Sequence, residues 1–155
     1  MIIEDFALED LYNKRFEKWI ENLGWKAFRM EGCFSWYDYM LICRSTGEYL
    51  PVELKTDRMA SNTGNFCIEF ERVSVKGETV QTGINVTKSK FYVYNVITDS
   101  GYTQYWISVR KLKKLLSEEP YRIVKGGDGY RTSMYLIPIT ELVSRLSPKV
   151  VEHTL

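Results

Sequence analysis

Trp36-Tyr37-Asp38-Tyr39-Met40-Leu41-Ile42-Cys43, then Ser45-Thr46-Gly47-Glu48, then Tyr49-Leu50-Pro51-Val52-Glu53-Leu54-Lys55 is the stretch that decides the fold. The two outer runs are short, aromatic and rich in β-branched residues, and the middle run carries the polar-glycine signature of a turn. Together they predict a β-hairpin. Side chains alternate across a strand, so Glu53 and Lys55 emerge on one face while Val52 and Leu54 point to the other, into a core. Asp38, on the preceding strand, is expected to lie beside Glu53. Two adjacent carboxylates repel unless a cation joins them, and such hard oxygen donors suit magnesium, with manganese as its substitute. A neighbouring lysine can orient a water or stabilise charge growing on a phosphate. Metal, water and lysine together describe phosphodiester hydrolysis. The structural alternative is a solvated polar face with a weak surface ion pair. Met40, Ile42, Val52 and Leu54 argue against it, because they imply a central strand pair.

Outward from the hairpin, Glu4 to Leu23 reads as a helix. Phe6, Leu11, Phe16, Ile20 and Leu23 recur at spacings of three to five, and Gly24 follows as a stop. Trp25–Met30 is an expected strand. Thr56–Thr63 reads as a polar loop, and Asn65–Val75 as a half-buried strand in which Phe66, Ile68 and Phe70 alternate with Cys67, Glu69 and Glu71. Thr87-Lys88-Ser89-Lys90 fits a short helical turn capped by Thr87. Strands are expected at Phe91–Ile97, Thr103–Val109, Tyr121–Val124 and Met134–Ile137. Helices are expected at Arg110–Ser117, capped by Ser108 and closed by Pro120, and at Thr140–Leu146, before a polar tail. This order gives an α/β fold in a single domain over residues 1–155, with a central mixed β-sheet flanked by helices.

Asp38, Glu53 and Lys55 resemble the motif of the PD-(D/E)XK nuclease superfamily, whose core is a helix, a hairpin bearing the acid and the Glu-x-Lys, and further strands. Tyr37 stands where that motif often has proline. Within the superfamily the chain is most similar to small Holliday junction resolvases of archaeal and phage type. The shared features are total length, an opening helix ending in Leu23-Gly24, and the short gap between Asp38 and Glu53. The likeness covers roughly Glu4 to Lys55 at motif level, and beyond that only strand order.

The resemblance implies a restriction-endonuclease-like fold and a magnesium-dependent endodeoxyribonuclease that leaves a 5′-phosphate. It implies metal ligation by Asp38, Glu53 and the Leu54 carbonyl, with Lys55 orienting or activating water. It also implies a glutamate on the first helix, at a place near Asn13 in this chain. Glu9, Asn13 and Glu17 follow at spacings of four on one helical face, so Glu9 or Glu17 is the candidate ligand, with Glu9 preferred. The plain alternative is that both are solvent-facing acids. Cutting both strands of a four-way junction requires two sites, hence a two-fold homodimer.

Glu69 is a further candidate, for a second metal or a hydrogen bond to Lys55, if its face is the one bearing Glu53. Otherwise Glu69 and Glu71 form an acidic edge. Arg58, in the polar loop, and Lys88 are candidate phosphate contacts. Arg110, Lys111, Lys113 and Lys114 form one cationic helix face, followed by Arg122, Lys125 and Arg131, suited to sequence-independent phosphate binding or simply to solvation. Phe91-Tyr92-Val93-Tyr94 reads either as interface or as core.

Composition bounds the classes. With 21 Lys and Arg against 20 Asp and Glu, the net charge is +1, so any DNA contact must come from a local patch. Cys33, Cys43 and Cys67 lack metal-ligand spacing and fit reduced thiols. The acidic N-terminus has no signal-peptide pattern and no apolar run reaches membrane-span length, so a cytoplasmic protein is expected, of a compactness that would suit a virus. His153, the sole histidine, is given no role, and no Ser/His/Asp, Cys/His or P-loop arrangement occurs. The competing expectations are a restriction, homing or phage DNA-processing nuclease with the same site, a DNA-binding module without catalysis, and a structural protein–protein module.

Overall fold

The computed structural model describes residues 2–32 and 36–155. Cys33 lies outside them.

Helix α1 runs from Ile2 to Asn22 and stops at Gly24, whose φ of +86° favours glycine. Its buried side chains Tyr12, Phe16 and Ile20 recur every four residues, so one stripe faces the protein. Strands β1 (Trp25–Arg29), β2 (Tyr39–Cys43) and β3 (Tyr49–Asp57) form an antiparallel meander. The expected hairpin is present, with Tyr39 opposite Val52. Strand β2 starts at Tyr39, three residues later than its aromatic run suggests.

From β3 the chain leaves the sheet and returns as β6 (Phe91–Thr98), parallel to β3, with Glu53 beside Tyr92 and Lys55 beside Tyr94. Parallel neighbours need a crossover. Here it carries the four-residue helix α2 (Ala60–Thr63), strand β4 (Asn65–Val73), strand β5 (Thr79–Gln81) and a 3-10 turn at Gly83–Asn85. Strand β7 (Gly101–Ser108), helix α3 (Val109–Glu118), strands β8 (Arg122–Gly126) and β9 (Thr132–Pro138), helix α4 (Ile139–Leu146) and strand β10 (Lys149–Thr154) complete the chain. The result is a mixed six-stranded sheet, β1-β2-β3-β6-β7-β10, and an antiparallel four-stranded sheet, β5-β4-β9-β8.

The mixed sheet is covered on both faces. On one, Phe16 and Ile20 of α1 pack on Tyr39, Leu41, Val52 and Val93. On the other, Tyr92, Tyr94 and Ile107 meet Phe66 and Ile68 of the second sheet and Leu112 and Leu142 of α3 and α4. Phe66 meets Tyr94 and Tyr105 edge-on, at 4.8 and 5.1 Å. Tyr92, Val93 and Tyr94 are thus core.

Three expectations are corrected. The polar tail is strand β10, paired with β7, because an open sheet edge gives even a polar segment backbone partners; His153 there stacks on Tyr102 at 4.4 Å. Residues 87–90 are not helical, because the Thr87 hydroxyl accepts the Ser89 N–H and joins a tertiary network instead. The polar loop begins only after Asp57, and its latter half is α2. The Ser108 hydroxyl does cap α3, accepting from Lys111 N at 3.3 Å.

Gly83 locks the crossover. Its φ is +49°, and an added Cβ would stand 2.1 Å from the carbonyl oxygen of Glu69, a backbone atom that cannot swing aside. Gly83→Ala should cost about 1–3 kcal/mol. Equilibrium urea unfolding checks it; an unchanged midpoint would mean that the 3-10 turn relaxes freely.

Candidate functional site

At the C-terminal end of β3, the mixed sheet and α1 enclose a cleft of about 340 Å³. Asp38, Leu54, Lys55, Thr56 and Arg58 form the sheet-side wall, and Asp5, Leu8, Glu9 and Asn13 the helix-side wall. Of the candidates from the sequence, Asp38, Lys55, Leu54, Glu9 and Arg58 converge here.

Asp38 sits just where β2 begins to pair. Its Oδ2 accepts the backbone N–H of Leu54 at 2.8 Å, so the carboxylate is held across the two strands and not left to rotate in solvent. Glu53, one residue from that N–H, has a half-buried carboxyl that interacts directly with Asp38. Burial, first, and the Asp38 charge, second, push Glu53 up to about 8, while Lys55 pulls the other way. Burial and the neighbouring Asp38 charge thus favour a proton on this pair of acids unless a cation takes its place. Hard oxygen donors with this mutual repulsion fit a magnesium ion: Asp38, Glu53 and the Leu54 carbonyl are the residues available to it. Among the described residues, no group of three or more His, Cys, Asp or Glu side chains converges for metal binding. The acid pair therefore relies on backbone and water for further donors.

Thr87 joins the two acid-bearing segments from the other side. Its buried hydroxyl lies 3.1 Å from the carbonyl oxygen of Trp36, two residues before Asp38, and 3.5 Å from Glu53 Oε1. The Lys88 N–H donates to the same Trp36 carbonyl at 2.8 Å, and the Lys88 ammonium rests 3.6 Å from the centre of the Trp36 ring.

Helix α1 settles which acids face the cleft. Asp5, Glu9 and Asn13, spaced by four, line it, whereas Glu17 is turned to Arg29 Nε (2.8 Å) and the Tyr39 hydroxyl (3.0 Å). Of Glu9 and Glu17, Glu9 is thus the one on the cleft side, together with Asp5. Arg58 is paired with Asp5 across the rim at 2.6 Å.

Glu69, like Glu53, does not line the cleft. Strand β4 is bulged between Glu69 and Glu71 in its pairing with β9, yet Phe66, Ile68 and Phe70 are buried while Cys67, Glu69 and Glu71 are half-buried, so the two acids keep one side of the strand. Glu69 stays near Tyr92, whose hydroxyl is raised by burial and then by Glu53, Glu69 and Asp38. Glu71 receives Gln81 Nε2 at 3.5 Å. Arg110, Lys111 and Lys114 are exposed on α3, outside the cleft. Lys111 reaches the Leu146 carbonyl at 3.5 Å and Lys114 lies 4.0 Å from Glu118. The start of α3 is tied to the 87–90 segment by the bond from Val109 N to Lys90 O.

Asp57 escaped the sequence reading. It accepts the Tyr94 hydroxyl at 2.6 Å and the Met59 and Ala60 N–H groups, fixing the chain where it leaves β3. An aspartate ahead of a short helical turn is the local signal that marks it. Its acceptor capacity is spent on structure.

No protein-family model, curated protein or solved structure matches the chain.

Proposed function

We propose that this protein is a magnesium-dependent endodeoxyribonuclease with a restriction-endonuclease-like fold, selective for branched DNA in the manner of a Holliday junction resolvase and working as a homodimer. The observation that carries the reading is the direct contact between the Asp38 and Glu53 carboxyls, with Asp38 held by the Leu54 N–H in the wall of a cleft that Lys55 also lines. An opening helix, an antiparallel pair bearing the acid and the Glu-x-Lys, and an adjoining strand support the fold reading.

Asp38, Glu53 and the Leu54 carbonyl would hold the metal, with Glu9 on the facing wall. Bound there, it supplies Lewis-acid stabilisation of a phosphate oxygen and a more acidic water. Lys55 lies beside the carboxylates, so its ammonium orients the attacking water and offsets charge growing on the phosphate. The Leu54 N–H keeps the Asp38 carboxylate aimed, and the Thr87 hydroxyl does the same for Glu53. Arg58 and Lys88 flank this region as phosphate contacts, and the exposed cations of α3 offer sequence-independent attraction to flanking duplex.

Cleavage of a labelled four-way junction in magnesium, compared with linear duplex and single strands, tests this. Paired cuts near the branch point are expected, and Glu53→Gln should slow them by about 1,000-fold or more. Equal cutting of every DNA would remove the junction selectivity but keep the nuclease. A junction bound but never cut, in magnesium or manganese, would sink the catalytic reading. A non-catalytic DNA-binding module is the second reading, favoured by the lack of a convergent group of three metal-ligating side chains among the described residues. It requires that magnesium titrated into the protein in a calorimeter give no binding heat that Asp38→Asn removes.

A further inference from the structure

Trp36 is a large aromatic side chain, 47% exposed, two residues from a candidate metal ligand. Its backbone is unusually well held for such a position. The carbonyl oxygen lies within hydrogen-bond reach of Lys88 N at 2.8 Å, the Thr87 hydroxyl at 3.1 Å and the Ser89 hydroxyl at 3.4 Å. The same Thr87 hydroxyl lies 3.5 Å from Glu53 Oε1. One hydroxyl, that of Thr87, thus reaches both the Trp36 carbonyl and the Glu53 carboxyl and ties the Trp36 backbone to the acid pair. Over its ring lies the ammonium of Lys88, on a flexible, exposed stem.

We infer that Trp36 and Lys88 form a subsite for an unpaired nucleobase next to the scissile phosphate. The base takes the place of the Lys88 ammonium on the ring, and the ammonium moves to the adjoining phosphate. Stacking on an aromatic ring is tolerant of sequence, and a base must leave the duplex to reach it. The exchange keeps a cation near the backbone while the π-face of tryptophan gains a larger partner. This rests on the nuclease reading for the place of the scissile phosphate, and it narrows the substrate to DNA with an unstacked nucleotide at a branch or flap.

Binding of the full-length protein to duplexes carrying 2-aminopurine, either fully paired or unpaired at a branch, tests the subsite apart from catalysis. Calcium replaces magnesium so that nothing is cut. The wild-type protein should bind the unpaired probe about 10-fold more tightly than the paired one, with loss of probe fluorescence, as one base–aromatic stack would give. Trp36→Ala should bring that ratio close to one, and Trp36→Phe should retain most of it. Lys88→Ala should weaken the unpaired probe more than the paired one and lower the salt dependence of the unpaired probe by about one phosphate contact.

An unchanged ratio in Trp36→Ala, or no preference in the wild type, overturns the subsite whatever the cleavage assays give. Failure to cut any DNA in magnesium, with the Trp36-dependent ratio intact, overturns the nuclease reading and leaves the base-binding subsite standing.

Discussion

Asp38→Ala and Asp38→Asn are both expected to lower cleavage by about 1,000-fold or more, yet to differ in stability. The carboxylate has two tasks. It is a candidate metal ligand, and its Oδ2 accepts the Leu54 N–H at 2.8 Å. Asparagine keeps an acceptor oxygen for that N–H but loses the charge, whereas alanine leaves a part-buried donor without its partner. An orphaned donor of this kind costs about 1–3 kcal/mol. Urea unfolding should therefore place Asp38→Ala below Asp38→Asn by that margin, with both inactive. Loss of the Asp38 charge also removes the largest cause, after burial, of the rise in Glu53, so the remaining carboxyl should titrate lower in either variant. Substantial cleavage by Asp38→Asn would mean that the charge is unnecessary, and the site would have to be assigned elsewhere.

Without divalent metal, the protein should lose stability as pH rises through the range from about 4.5 to about 8. A free glutamate ionises near 4.5, and burial and Asp38 push Glu53 up to about 8. Between those values the folded state holds a proton that the unfolded chain has released, so stability falls with rising pH. The contribution is fully present below the lower value and gone above the upper one. The loss should reach a few kcal/mol between about pH 5 and about pH 9. Glu53→Gln should flatten it, because glutamine does not ionise. Magnesium should restore stability progressively toward high pH, since the ion replaces the proton as the partner of the acid pair. Chemical unfolding of both proteins, with chelator and with magnesium, reads all of this. A slope identical in wild type and Glu53→Gln would show that Glu53 is not the buried acid.

Much of the site was legible because its signals are local. Glu53 and Lys55 share a face for the same reason that Val52 and Leu54 share the other, and the hairpin turn at Ser45–Glu48 sets Asp38 within reach of the second strand. The four-residue spacing of Glu9, Asn13 and Glu17 marked one helical face, but the spacing could not say which acid meets the cleft. The Arg29 and Tyr39 partners that draw Glu17 away decide that, with Asp5, Glu9 and Asn13 left lining the cleft. Glu69 and Glu71 share a side of β4 as their alternation with Phe66, Ile68 and Phe70 predicts, and the bulge opposite β9 falls between them. A bulge depends on the partner strand, so the sequence of β4 alone carries no sign of it.

The sequence by itself determined the mixed α/β character, the opening helix, the β2–β3 hairpin and the pairing of two carboxylates with a lysine. Periodicity of 3.6 or 2 and a turn tetrad are properties of neighbouring residues, so these features need no distant partner to be read. Only the tertiary structure decided that β6 returns parallel to β3, that β4, β5, β8 and β9 leave to form a second sheet, and that the polar C-terminal segment becomes β10. Those outcomes turn on which backbone edge is open and which apolar face is still uncovered once the first layers meet. The same long-range packing brings Thr87 between Trp36 and Glu53, joining residues separated by 51 and 34 positions in the chain.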